Sequence, residues 1–228
     1  FLCMKNTYSN FLLIFFSCFS FASYAQGDLL LNTDEQKIIL SYGKSLHDLG
    51  DEISAQVMWI ITDMDKNEVI ASGSGDALAK YVFKKPGMYQ VDINENIIHD
   101  SNSCNHKHFP EKMLVEVSPL KMDFDFKSVK LSRNIIGGQS VNGTILSVDV
   151  RFSSYDNSDS FYTQGFNTAG VRTSVVGKLK NGQKRLQNGI NTLEFNLEGQ
   201  ATKNTYIMFD FVDINGNVQS YGFTNKIQ

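Results

Sequence analysis

The residues best suited to chemistry lie in one short segment, HDSNSCNHKH, from His99 to His108. It holds three of the chain's four histidines together with Cys104. On an extended segment the imidazoles of His106 and His108 point to the same side, a spacing that can chelate one ion, and His99 or Cys104 would complete the shell if the segment curls. The segment is therefore a candidate site for a transition metal such as zinc. The alternative is a solvated loop in which Ser, Asn and His side chains cap one another.

The chain begins with a predicted secretory signal peptide. From Met4 it has a short basic start, then an apolar run, and then the small residues Ser23 and Ala25 at positions −3 and −1 of a cleavage site. The apolar run is too short for a comfortable membrane anchor. We therefore expect residues 1–25 to be removed on export, leaving a mature protein without a membrane span.

Export would leave Cys104 as the only cysteine, because Cys3 and Cys18 precede the cleavage site. A lone thiol has no partner for an internal disulfide and no resolving cysteine, so a redox role is disfavoured and the fold must depend on a hydrophobic core. The mature chain has 20 basic and 24 acidic side chains, since residues 1–25 contain Lys5 and no acid. This mildly negative balance argues against a nucleic-acid partner.

Apolar residues alternate with period two through most of the mature chain, which predicts β-strands. Pro119 cannot donate to a ladder and marks a boundary, after which the alternation starts again. Val129 is out of phase with Phe124 and Phe126, which predicts a bulge. The clearest predicted strands are Val57–Ile61, Ala77–Phe83, Tyr89–Ile93, Met113–Val117, Leu146–Phe152 and Leu193–Leu197.

The end of the chain predicts a β-hairpin around Asn215-Gly216. A two-residue type I′ turn there would place Phe209 opposite Gly222 and Asp210 opposite Tyr221, so that an aromatic ring covers the glycine. After the signal peptide no stretch has a convincing helical pattern, although residues 44–55 have room for one turn.

Trp59 and the later run AKYVFKKPGMYQVDI resemble the second half of a PKD-type immunoglobulin-like domain. The resemblance covers about residues 27–118, although IITDMDKNE follows Trp59 where the family has Trp-x-Phe-Gly-Asp-Gly. It implies a β-sandwich. Trp59 would fill the space between the sheets, and Tyr89 would act as a corner tyrosine that bonds back to the backbone. The matching positions are Tyr81, Phe83, Pro86, Gly87, Tyr89 and Val91.

We therefore predict an all-β protein with two consecutive immunoglobulin-like β-sandwich domains, at residues 26–118 and 119–228, the second on pattern alone. The signal peptide ending in Ala-Gln, followed by Asn- and Lys-rich β modules, also resembles envelope proteins of the Bacteroidota. Surface proteins of that group would be expected to carry a terminal sorting domain, whereas this chain ends directly after a hairpin. We expect a periplasmic location, with the cell surface as the alternative.

Two long segments are the predicted binding loops. Residues 94–111 would join the last two strands of the first domain, at an end of the sandwich that often carries binding loops. Residues 153–170 contain four aromatic residues that would form a partner or carbohydrate platform if they are exposed. The alternative is a polar loop with its aromatic side chains tucked in. These four candidates are Tyr155, Phe161, Tyr162 and Phe166.

No catalytic signature is present in the sequence. Asp63-x-Asp65-x-Asn67 begins like a calcium loop, but Glu68 and Ser74 stand where a glycine and a bidentate glutamate are required, so we predict a hairpin turn. The chain is therefore predicted to be non-enzymatic and to have no catalytic residues. We expect an exported protein-interaction module, such as an accessory or plug-like subunit of an outer-membrane or secretion assembly. The alternative is a carbohydrate- or metal-binding module.

Overall fold

A computed structural model describes residues 36–49, 57–95, 111–223 and 227–228. Over these residues the protein is all-β, as predicted, with helix limited to two 3-10 turns, η1 (Leu46–Leu49) and η2 (Gly75–Ala77). The first of these lies in the stretch expected to hold a single turn. The predicted signal peptide and most of the 94–111 loop lie outside the described residues.

Among the described residues, seven strands precede Pro119: β1 (Gln36–Ser41), β2 (Lys44–Ser45), β3 (Val57–Asp63), β4 (Glu68–Ser74), β5 (Val82–Phe83), β6 (Gly87–Glu95) and β7 (Lys112–Ser118). Five of them form a sheet in the order β1-β7-β6-β3-β4, in which only β1 and β7 run parallel, and β2 pairs separately with β5. The side chains of β3 alternate between buried and more exposed positions, as predicted, and Trp59 is buried. The Tyr89 hydroxyl donates to the Lys85 carbonyl at 3.0 Å, which confirms the predicted corner bond.

The predicted strand over Ala77–Phe83 is wrong except at its end. The chain forms η2 and a turn there, and only β5 is extended. The consecutive residues Leu78 and Ala79 are both buried, which a strand cannot achieve on one face because its side chains alternate. Asp76 and Lys80 form an ion pair four residues apart, a spacing that suits a turn of helix.

Nine strands follow Pro119 in the described part of the chain: β8 (Leu120–Leu131), β9 (Ile145–Ser154), β10 (Ser160–Tyr162), β11 (Phe166–Ala169), β12 (Val176–Leu179), β13 (Lys184–Leu186), β14 (Gly189–Glu198), β15 (Met208–Val212) and β16 (Val218–Gly222). Seven form a sheet in the order β16-β15-β11-β12-β14-β9-β8, and β10 pairs with β13. Asp125 pairs with Asp149 but Lys130 pairs with Ser147, so β8 carries extra residues. The bulge predicted from the phase of Val129 is confirmed.

A glutamine side chain joins the two ends of the seven-stranded order. Gln219 on β16 donates through Nε2 to the Met122 carbonyl at 3.0 Å, and its Oε1 accepts from the Phe124 amide at 3.1 Å. Phe126 on β8 stacks on Tyr221 of β16 with ring centroids 5.5 Å apart. Strands β8 and β16 therefore meet through side chains although they do not pair by backbone bonds.

The hairpin formed by β15 and β16 exists as predicted, but its type and register differ. Met208 lies opposite Gly222 and Phe209 opposite Tyr221, one residue away from the predicted pairing. A type I′ turn requires positive φ at both central residues, and here Gly216 has φ +86 while Asn215 is not in that region. The Asp213 amide donates to the Asn217 carbonyl at 2.8 Å. This bond closes a loop of three residues, 214–216, rather than the predicted two.

The buried apolar residues that the structure describes form two separate clusters, one before Pro119 and one after it. The described residues all belong to one compact unit, Thr33–Gln228. The division into immunoglobulin-like domains at residues 26–118 and 119–228 stays a prediction.

Candidate protein-interaction surface

The four predicted metal ligands, His99, Cys104, His106 and His108, lie outside the described residues. Within the described ranges, no group of three or more His, Cys, Asp or Glu side chains is arranged to hold a metal ion. The metal site therefore stays a prediction.

The four predicted partner-binding aromatic residues do not form one exposed platform. Tyr162 and Phe166 are buried in the core that follows Pro119, whereas Tyr155 and Phe161 are exposed. The Tyr162 hydroxyl donates to the Val212 carbonyl at 2.8 Å, and burial raises the pKa of Tyr162 above its ordinary value. Strands β10 and β11 lie within residues 153–170, so the expectation of one long irregular segment is wrong. Of the two readings of this stretch, the exposed platform fails for Tyr162 and Phe166.

The two exposed aromatic residues have different surroundings. The Tyr155 ring meets the Tyr42 ring edge-on at 5.6 Å, and the Tyr42 hydroxyl donates to Ser153 Oγ at 2.9 Å, so Tyr155 belongs to a contact between the parts before and after Pro119. Phe161 lies opposite Arg185 on the small β10–β13 ladder. Phe161 is the more exposed of the two, whereas its neighbour on β10, Tyr162, is buried.

Five exposed apolar side chains lie at neighbouring positions of the hairpin formed by β3 and β4. Met58 is 51% exposed and Ile60 is 44% exposed, on the outer face of β3. On β4, Val69 is 59% exposed and Ile70 is 39% exposed, and Met64 in the connecting turn is also exposed. We call these five residues the hairpin patch. Contiguous apolar patches on a soluble protein typically mark an interaction site.

The turn that joins β3 to β4 is held by one carboxylate. Asp63 accepts the backbone amides of Asp65 and Lys66, each at 3.1 Å, and the Lys66 ammonium at 3.0 Å. The hydrogen bond from Lys66 lowers the pKa of Asp63. Asn67 completes the turn with φ 52, a conformation that asparagine tolerates better than most residues. The predicted hairpin turn is confirmed, and it fixes the end of the hairpin patch at Met64.

A bulge in β4 enlarges the hairpin patch. Ile61 pairs with Ala71 but Thr62 pairs with Val69, which leaves Ile70 as an extra residue. Opposite residues in an antiparallel pair share a face, so Val69 lies on the outer face with Thr62. The bulge therefore places two exposed apolar residues in succession beside β3.

Strand β4 also ends the five-stranded order, and within the described part of the chain it pairs only with β3. Glu68 is its only charged residue, and it has no lysine or proline, the residues that commonly protect sheet edges. The indole of Trp59 packs beneath this edge: a Cβ added at Gly73 would lie 2.6 Å from Cζ2 of Trp59. The edge is thus firmly supported from the core side, although the buried Nε1 of Trp59 has no hydrogen-bond partner among the described residues.

Sequence reasoning did not identify the hairpin patch. The signal was present, since β3 has apolar residues on both faces, which is typical of a strand buried on both sides or of an interaction surface. What covers the outer face of the sheet separates these two cases, and local sequence does not specify it.

No protein-family model matches the chain, and no curated protein sequence matches it. Among the described residues, no helix has the length and apolar character needed to cross a membrane. The functional interpretation depends on the geometry of the hairpin patch and its edge strand.

Proposed function

We propose that this protein is a non-enzymatic, exported protein-interaction module of the cell envelope, such as an accessory or plug-like subunit of an outer-membrane or secretion assembly. Its two immunoglobulin-like sandwich domains would present the hairpin patch to an apolar surface of a partner protein. The observation that carries the proposal is the exposure of five apolar side chains at neighbouring positions of the β3–β4 hairpin.

The chemistry of the hairpin patch supports a protein partner. Met58, Ile60, Val69 and Ile70 offer an apolar surface, and the charged Glu68 and Lys66 lie at its turn end. Protein interfaces commonly combine an apolar centre with a polar rim. A stable interface needs at least about 1,000 Å² of total buried area, so the partner must also contact residues around the patch.

Two further observations support the fold and location in the proposal. Trp59 is buried and Tyr89 forms its corner bond, as an immunoglobulin-like domain requires. The signal-peptide pattern before Gln26 supports export, with the periplasm as the proposed destination.

The proposal is tested by affinity purification of the tagged protein from envelope extracts of its source organism. A candidate partner identified by mass spectrometry is then purified and must bind directly in solution. A Met58→Asp, Ile60→Asp double variant should lose that binding, while Ile190→Asp, at an exposed apolar position on β14, should retain it. Circular dichroism checks that both variants are folded. Equal binding by the double variant would exclude the hairpin patch, and the absence of any direct partner would overturn the function.

A further inference from the structure

We infer that Asn181 is a site of spontaneous deamidation in the folded protein. The chain has four Asn-Gly pairs, and the other three begin at Asn142, Asn188 and Asn215. Of these four asparagines, Asn181 is the one whose side chain makes no hydrogen bond with another described residue. The inference goes beyond the proposed function and does not depend on it.

The reaction needs only the two residues of the pair and water. The backbone nitrogen of Gly182 attacks Cγ of Asn181, and the bond between Cγ and Nδ2 breaks. The proton of the glycine amide passes by way of solvent to the departing Nδ2 group, which leaves as ammonia, and a succinimide ring remains. Water then opens the ring and gives either aspartate or isoaspartate. Glycine favours the attack because it has no side chain to obstruct the ring and a flexible backbone.

The attacking nitrogen does not distinguish the pair at Asn181 from the pair near the end of the chain. The Gly182 amide donates to the Leu179 carbonyl at 3.1 Å, and the Gly216 amide donates to the Asp213 carbonyl at the same distance. Each bond closes a turn and has to open before attack. The difference between the two pairs must therefore come from their asparagine side chains.

The side chain of Asn215 is held in place by two hydrogen bonds. Its Nδ2 donates to Ser41 Oγ at 2.9 Å and to the Leu120 carbonyl at 2.8 Å. The side chain has to rotate to bring Cγ to the Gly216 nitrogen, and this rotation breaks both bonds. The loss of these partly buried bonds raises the barrier to ring closure.

The side chains at the other two pairs are each held by their oxygen. Oδ1 of Asn142 accepts the Gly199 amide at 3.0 Å. Oδ1 of Asn188 accepts the amide of the buried Ser154 at 2.7 Å. Rotation towards the following glycine would leave each of these amides without its acceptor, which also opposes ring closure.

Asn181 lies in an exposed turn between β12 and β13. Asn181 and Gly182 have φ values of 65 and 74, and both residues are exposed. The Asn181 side chain can rotate towards the Gly182 nitrogen without breaking a side-chain hydrogen bond to any described residue. The geometry therefore favours succinimide formation at this pair over the other three.

Deamidation would change the surface beside the turn. The product carries a new carboxylate next to Lys180, whose ammonium already pairs with Glu194 at 2.8 Å. Isoaspartate also adds a methylene group to the backbone between β12 and β13. Stored protein should therefore accumulate a more acidic form.

The first test is peptide mapping by mass spectrometry after incubation in warm, mildly alkaline buffer, with one sample folded and one in urea. In the folded sample, deamidation at Asn181 should be at least about tenfold faster than at Asn215, because ring closure at Asn181 breaks no side-chain bond. In urea the four pairs should react at similar rates. The inference is overturned if Asn181 reacts no faster than Asn215 in the folded sample. It is also overturned if the same ratio of rates persists in urea, because sequence rather than the fold would then set the rates.

The second test is isoelectric focusing of stored variants. Asn181→Gly should remove the main acidic form, and glycine tolerates the positive φ of this position. Asn157→Gly is the matched control, because Asn157 is also exposed with φ 60 but is followed by Ser158 instead of glycine. This control should form the acidic form as the wild-type protein does. An acidic form that persists unchanged in Asn181→Gly would refute the assignment to Asn181.

Discussion

Asn215 Nδ2 donates to Ser41 Oγ at 2.9 Å, although 174 residues of chain separate the two side chains. The same amide group donates to the Leu120 carbonyl at 2.8 Å, just after Pro119. The turn between β15 and β16 is therefore bonded both to β1 and to the start of β8. With the Lys44–Asp123 ion pair of 2.9 Å, these bonds link the two hydrophobic clusters.

Replacing Asn215 by alanine should destabilise the protein by about 1 to 3 kcal/mol, because it removes both of these hydrogen bonds. Asn215 has no positive φ, so alanine fits the turn and the loss reports the bonds rather than backbone strain. Urea unfolding measures the free energy of unfolding. Asn196→Ala, on the exposed face of β14, is the control and should have a smaller effect. Equal effects of the two substitutions would contradict the bonding role of Asn215.

The carboxyl of Asp213 makes the free energy of unfolding depend on pH. The direction is opposite to that of a carboxyl group whose pKa is lowered on folding. Burial raises the pKa of Asp213 above its ordinary value of 3.8, although backbone amides of Asn217 and Asn215 donate to it. The folded state therefore binds this proton more tightly than the unfolded state. The contribution of Asp213 to the free energy of unfolding falls as pH rises from 3.8 through the raised pKa.

We expect Asp213→Asn to remove this dependence while retaining an oxygen that accepts the amides of Asn215 and Asn217. Relative to the variant, the wild-type protein should be more stable near the acidic end of that window and lose this advantage as pH rises. Urea unfolding of both proteins across the window gives the difference in the free energy of unfolding, in which the effects of the other carboxyl groups, such as Asp63, cancel. A difference that is constant, or that grows with pH, would contradict the raised pKa.

Sequence patterns predicted the strands most accurately where one face of the strand is buried. Leu146 and Phe152 begin and end a strict alternation, so the face of β9 follows directly, and the phase change at Val129 predicted the bulge in β8. The register of β15 and β16 was missed because the Asp213 carboxylate binds the turn amides and sets a three-residue loop. A turn dipeptide such as Asn215-Gly216 does not contain that information.

The hairpin patch could not be predicted from the sequence. Met58 and Ile60 have the pattern of a strand buried on both faces, and their exposure depends on what covers the outer face of the sheet. The position of β4 at the end of the order depends on long-range pairing, which local periodicity does not specify. The burial of Trp59, in contrast, was expected from the resemblance to a PKD-type domain.

Replacing Gln219 by leucine should destabilise the protein by about 1 to 3 kcal/mol, because the Met122 carbonyl and the Phe124 amide both lose their side-chain partner. Hydrogen exchange of the Phe124 amide should accelerate more than exchange of amides in β12. Gln219→Glu is the matched variant, since it keeps an acceptor for Phe124 but loses the donor to Met122. Unchanged exchange at Phe124 in the leucine variant would show that β8 and β16 are joined by packing alone.

Adding one methyl group at Gly73 should destabilise the protein by about 1 to 3 kcal/mol, the usual cost of overpacking a core. The new Cβ would lie 2.6 Å from Cζ2 of Trp59, so the indole has to move or β4 has to shift outward. Gly222→Ala on β16 is the matched control, because a Cβ there has no heavy atom within 4 Å. Thermal unfolding gives the stabilities, and the tryptophan fluorescence of the chain's single Trp59 should change only for Gly73→Ala. Equal stability and fluorescence in the two variants would mean that Trp59 does not pack against the edge strand.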